Sequence, residues 1–293
     1  MTDIIQLIIA GVSAGSIYGI IALAFTTIYN STKIVNFAQG NFIMLGSMLA
    51  YYFMALQKLP ITVAIILIVT LTGLIGLSMK IFIIDSLEKR EAPLFSKIIA
   101  TLAVGIILSQ SAALIFGKTK YSVPPLIKGD PIKLFSTNIG IWPENIILII
   151  ITFGSVIGFW IFLNHTSLGR VIRAIGYNPK AAKIAGIQTS KIIAITFILS
   201  GGISALGGII VAPIVGASPY MGMVLGVKGF SATILGGMGN PFAGFIGGII
   251  LGLVEAFGSY YISFTYAPVI AYVILLGMLM IKPTGLWPEK EAR

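Results

Sequence analysis

Two ionisable side chains, Lys228 and Glu255, fall inside long apolar runs of this 293-residue chain. A charge at mid-bilayer costs on the order of 3 kcal/mol, so each needs a partner, water or a route to the interface. An ion pair between them, contact with a wet pathway and separate snorkelling all meet that need. Lys80, nearer the end of its run, is expected to snorkel. A second polar feature, Asn36, Gln39 and Asn41 around Gly40, interrupts another apolar run with amides that hydrogen-bond without titrating. Other chemistry is scarce. With no cysteine and one histidine, disulfides, iron–sulfur clusters, thiolate zinc and histidine-rich metal sites are excluded. Neither paired carboxylates nor a serine–histidine dyad supports an enzyme. Gly117-Lys118-Thr119 resembles the end of a phosphate loop, but position 112, where the loop needs glycine, holds Ala112. The segment from Gly236 to Pro241 lacks dinucleotide spacing, and its Asn240-Pro241 reads as a tight turn. If ATP drives this protein, another chain binds it.

The elements that position these residues are membrane helices. The chain is 57% hydrophobic and only 10% charged, with a mean hydropathy of +1.02, far more apolar than a soluble domain. Apolar passes run roughly over 4–29, 34–56, 60–84, 98–116, 146–163, 192–215, 221–238, 242–262 and 268–281. Lipid cannot satisfy backbone groups, so each full crossing must be helical. The expected fold is an all-α polytopic bundle of about eight to ten passes, one membrane domain over 1–293. The segments near 34–45 and 221–240 are too polar, or too short and glycine-rich, for simple spans and suit half-helices or re-entrant stretches. The first apolar stretch follows Asp3, is too long for a signal-peptide core and is expected to remain.

Cytoplasmic loops retain Lys and Arg. The 164–191 loop carries Arg170, Arg173, Lys180, Lys183 and Lys191 with no acid, which places it inside. Counting passes then puts 85–97 and the C-terminus inside, with the N-terminus and 118–143 outside. The inner group adds Lys33, Lys80, Lys89, Arg90, Lys97, Lys282, Lys290 and Arg293; Lys118, Lys120, Lys128 and Lys133 run against it. The formal charge of +10 thus reflects loops beside anionic lipid rather than a nucleic-acid partner. Small residues four apart, Gly11, Gly15 and Gly19 and again Gly244, Gly248 and Gly252, suit close helix packing, or a subunit interface or substrate path. In the inner loop Asn178 can cap a helix that Pro179 begins and Gly186 ends. Lys180 and Lys183 would lie on one side, with Ala181, Ala182, Ile184 and Ala185 giving a small-residue surface. That is either an interfacial helix or a coupling helix for a cytoplasmic ATPase.

Several segments carry a resemblance. Asn36-Phe37-Ala38-Gln39-Gly40 resembles the Asn-Phe-Ala-His-Gly signature of branched-chain amino acid ABC permeases, with Gln39 in the usual histidine position. The inner loop, Leu168 to Ala174 followed by Asn178 to Ala182 and Gly186-Ile187, is similar to that family's coupling segment. Leu235 to Asn240, Gly244 to Gly252 and Lys282 to Leu286 follow in order. The likeness covers nearly the whole chain and fits the shorter of the two permease chains. It implies a transport subunit without its own ATPase site in a bacterial or archaeal cytoplasmic membrane. Its partners would be a second permease, two ATPase subunits holding ATP and Mg, and an extracytoplasmic binding protein. Gly169, Arg170, Arg173, Asn178, Pro179, Ala182 and Gly186 would couple to the ATPase. Asn36, Gln39, Asn41, Lys228 and Glu255 are candidates for the translocation pathway. The same architecture could carry urea, short amides or another small polar solute. A secondary transporter or channel would need an ion site or filter of its own, for which Glu255 and Lys228 are thin material.

Overall fold

A computed structural model describes residues 2–127, 129–133, 140–263 and 266–287. Lys128, Lys290 and Arg293, three of the cations weighed above, lie outside the described residues.

Six helices are long and apolar enough to cross a membrane. They are built on α1 (Thr2–Thr32), α3 (Ile61–Met79), α5 (Leu94–Phe116), α6 (Pro143–His165), α9 (Thr189–Val215) and α11 (Pro241–Tyr261). The other three apolar segments are shorter: α2 (Gln39–Ala50), α10 (Met221–Gly236) and α12 (Ala267–Ile281). At 1.5 Å per residue, the 16 residues of α10 reach about 24 Å, less than the ~30 Å hydrocarbon core. Two helices widen into π-turns: α2 continues through Tyr51–Leu56, and α3 through Lys80–Ile84 into α4 (Asp85–Lys89). Outside the apolar segments lie α7 (Ser167–Tyr177), α8 (Pro179–Ile184) and a ribbon of β1 (Ile132–Lys133) against β2 (Gly140–Ile141), antiparallel with Ile132 opposite Ile141.

The second expected pass is only partly helical. Lys33 takes a left-handed conformation (φ 55°), residues 33–38 leave the helix, and α2 begins at Gln39. The Asn240-Pro241 turn is also a helix start, because Asn240 Oδ1 accepts from the amides of Phe242 (3.0 Å) and Ala243 (3.2 Å) with Pro241 in the first turn.

Within their most apolar windows α1 is 67% and α9 61% buried, against 28% for α3 and α6 and 22% for α5. The first two therefore form the centre and the others the rim. The two glycine stripes pack on each other: α1 and α11 run antiparallel, with Gly11 beside Gly252, Gly15 beside Gly248 and Gly19 beside Phe245. A Cβ at Gly15 would lie 2.6 Å from Ile249 Cα and 2.8 Å from Gly248 O, so only glycine permits this approach.

The loops meet in two groups. In one, Tyr51 stacks on Tyr121, Tyr121 pairs with Ala217, and Ser109 Oγ donates to Pro219 O. In the other, Lys33 lies over the Tyr177 ring, Lys80 reaches Ser190, and the amides of Leu286 and Trp287 donate to Leu235 O and Gly236 O at the end of α10. These groups match the two sides derived from counting passes.

Candidate functional site

Three polar constructions stand out from the apolar bundle. The first is the break before α2. Ala38 N donates to Asn36 Oδ1 (3.1 Å), Phe37 N to Thr101 Oγ1 of α5 (3.0 Å), and Gln39 N to Asn36 O (3.1 Å). These three backbone amides thus find partners without water. Asn36 Nδ2 donates to Gln39 Oε1 (3.2 Å), and Gln39 Nε2 donates to Ser204 Oγ and, more weakly, to Ser200 O (3.4 Å). Both serines sit near the middle of α9. Asn41 is wedged between Gly105 of α5 and Gly222 of α10. Asn36, Gln39 and Asn41 are all buried, so in this conformation they face protein and not an aqueous path.

The second is a cluster on α1, α10 and α11. Lys228 Nζ and Glu255 form an ion pair in which each side chain is 12% exposed. Tyr18 completes it: its hydroxyl donates to Glu255 Oε2 (2.6 Å) and accepts from Lys228 Nζ (3.0 Å), and the ammonium also lies 5.2 Å from the Tyr18 ring centre. A tyrosine in an apolar helix gave no warning of this role. Pairing answers the cost of burying each charge. The amide and charged clusters do not touch; α10 lies between them. Its Gly222 and Gly226 face Gly40, and Lys228, two residues after Gly226 and so about 200° round the helix, faces α1 and α11.

The third is the α7–α8 hairpin. Asn178 Oδ1 accepts from Ala181 N (3.0 Å), Pro179 opens α8, and Gly186 closes it at φ 81° with Ile187 N donating to Ala182 O (3.0 Å). The helix from Asn178 to Gly186 is therefore present. Thr166 caps α7 through Gly169 N (3.0 Å). Gly169 packs on the carbonyls of Phe162 and Leu163, and Gly176, which sequence reasoning passed over, packs on Asn30 O at the end of α1. Arg173 bonds Asn164, while Arg170, Asn178 and Pro179 are exposed.

One expectation for the hairpin surface is corrected: Ala182 is buried against the hydrophobic core, leaving Ala181, Ala185, Gly186 and the 89%-exposed Ile184 as the free surface. Another correction concerns Lys80. Rather than snorkelling, it is 3% exposed, pairs with Asp85 (3.0 Å) and bonds Ser190 beside the hairpin. The π-turn at 80–84 brings residues five apart onto one side, which a four-residue helical spacing does not anticipate.

Among the described residues no cluster of three or more His, Cys, Asp or Glu side chains could hold a metal ion. The family model described as branched-chain amino acid transport system / permease component matches residues 7–282. The high-affinity branched-chain amino acid transport system permease protein LivH of Salmonella typhimurium is 31% identical over 98% of this chain and 96% of its own. The corresponding protein BraD of Pseudomonas aeruginosa is 28% identical over the same shares. A solved structure, PsaBC from Streptococcus pneumoniae in complex with Fab, aligns at TM-score 0.49 and 13% identity over 94% of this chain and 91% of that chain.

Proposed function

This chain belongs to the branched-chain amino acid transport permease family, and on that premise we propose that it imports leucine, isoleucine, valine or similar small amino acids by ATP-driven alternating access. It acts in a bacterial or archaeal cytoplasmic membrane beside a second permease, above two ATPase subunits that hold ATP and Mg, and below an extracytoplasmic binding protein that delivers the solute. No bond in the solute changes. Membership in a permease family displaces the secondary-transporter or channel reading.

The observation that carries this reading is the build of the α7–α8 hairpin. Its apex is exposed and carries small residues beside one apolar side chain, Ile184. Its base is fixed by Gly169 on the end of α6 and Gly176 on the end of α1. A push from an ATPase on the apex is thereby delivered to the central helix. The hairpin resembles the coupling segment of the family, and its basic residues support an inner position.

Ala185→Trp and Ile184→Asp test the docking surface, since both positions are exposed and neither lies in the core. Gly186→Trp is less suited because its positive φ strains any side chain, and Ala182→Trp would disrupt packing. The two variants are expected to assemble with the second permease while ATPase co-purification and leucine uptake fall at least about tenfold. Normal ATPase binding and uptake in both would make the hairpin a mere interfacial helix.

A further inference from the structure

Two open clefts flank the N-terminal half of α1, and the ion pair joins them, Lys228 lining one and Glu255 the other. The larger, about 560 Å³, lies among α1, α6, α9 and α10 and is lined by Ser13, Ile17, Tyr18, Leu148, Leu225 and Lys228. The smaller, about 390 Å³, lies on the other side of α1 and is lined by Glu255 and Ser259. Ala10 and Ala14 line both, so small side chains of α1 stand between a cavity bearing a cation and one bearing a carboxylate. Ser13 is 7% exposed, and its hydroxyl has no hydrogen-bond partner. A buried hydroxyl without a partner carries a desolvation cost that a bound polar group would remove. The larger volume falls in the range of small-molecule sites, mostly apolar with a few convergent polar groups.

We propose that Lys228, Tyr18 and Glu255 bind the head group of the transported amino acid, Lys228 taking the carboxylate and Glu255 the ammonium. The aliphatic side chain occupies the larger cavity against Ile17, Leu148 and Leu225. This inference rests on the amino acid import reading above. The reason for a zwitterion is charge balance in a poorly hydrated place. The cluster is net neutral, so an anion entering alone would free Glu255 of its partner and a cation would do the same to Lys228, each leaving a buried unpaired charge. A zwitterion exchanges one ion pair for two and leaves nothing uncompensated. Tyr18, bonded to both charges, can remain with either while the pair opens.

The test uses the complete transporter in liposomes with its binding protein. In the triple variant Tyr18→Phe/Lys228→Met/Glu255→Met, apolar side chains replace the whole cluster and leave no orphaned hydroxyl, a change that is often neutral for stability. Expected are a melting temperature close to that of the wild type and unchanged co-purification of the second permease and the ATPase subunits, with leucine uptake down at least about tenfold. Full uptake by the triple variant would overturn the proposal and reduce the cluster to a helix clamp. A second measurement does not depend on the variant folding. The wild-type complex, without binding protein, is melted with tens of millimolar leucine, 4-methylpentanoate or 3-methylbutylamine. Leucine should raise the melting temperature more than either single-charge analogue. An equal shift with 4-methylpentanoate would mean an anion site, such as one for a lipid head group or fatty acid, and no shift with any of the three would mean no site; either outcome overturns the proposal. A wild-type transporter that imports no branched-chain amino acid would instead sink the import reading, and the melting comparison would still decide the site.

Discussion

Between α1 and α11 the backbone stays helical throughout and the two helices close on glycine, whereas between α1 and α2 six residues, 33–38, leave the helix and side chains meet the polar groups set free. Lipid hydrates neither backbone. The seam solves that problem by never opening a hydrogen bond, and at Gly15, Gly248 and Gly252 its contacts are backbone against backbone. The break solves it with Asn36, Thr101, Gln39, Ser200 and Ser204, groups whose hydrogen bonds can be exchanged for others. The first arrangement suits a fixed core. The second suits an element that moves between states, because it can trade partners without dissolving a helix.

The largest effect that would test this contrast comes from the seam. Gly15→Leu drives a side chain into Ile249 Cα and Gly248 O, and neither backbone can step aside. Destabilisation on the order of 3 kcal/mol is expected, the upper range for overpacking, and no monodisperse protein should survive size-exclusion chromatography in detergent. A well-folded Gly15→Leu would show that the seam is as adaptable as the break.

Gln39→Leu should come next, costing about 1–3 kcal/mol because Asn36 and Ser204 lose a buried partner, with uptake falling alongside the melting temperature. Gln39→His, which introduces the residue usual in the family signature that this segment resembles, should keep most of both. Equal losses in the two variants would mean that shape rather than hydrogen bonding holds the break.

The smallest effect is expected from Gly105→Ala. There the new Cβ meets the end of the Asn41 side chain at 2.5 Å and backbone only at 3.5 Å, at Ala38 Cα. The cost should be no more than about 1 kcal/mol, clearly below that of Gly15→Ala in the same melting assay. A Gly105→Ala as damaging as Gly15→Ala would place the break among the rigid parts.

Much of this was legible in the sequence, for local reasons. Asn178, Pro179 and Gly186 act within a few residues of one another, so their cap, first turn and terminus followed from spacing alone. The glycine stripes announced close packing through their four-residue repeat, but not that each would be the other's partner, because that pairing spans most of the chain. Lys228 and Glu255 were marked by cost as residues in need of partners, an ion pair being one of three answers, while Tyr18 was invisible because its role depends on three helices meeting. The amide break was visible as polarity; its partners Ser200, Ser204 and Thr101 lie on other helices and left no local trace. Lys80 was misread because a π-turn changes which residues share a side, and Ala182 because a small residue on a short helix fits the core as well as the surface.

The glycine seam also sets a schedule for biogenesis. Its two halves are separated by most of the chain, so at roughly 5–20 residues per second α1 waits on the order of ten to fifty seconds in the bilayer before α11 is made. A helix whose polar backbone groups are already bonded to one another can wait at little cost, and glycines expose no further group that needs a partner. Tyr18 waits with it. When Lys228 enters on α10, before Glu255 exists, that hydroxyl is already there to receive its ammonium, so a residue costly to insert meets a partner on arrival and its counter-charge some residues later.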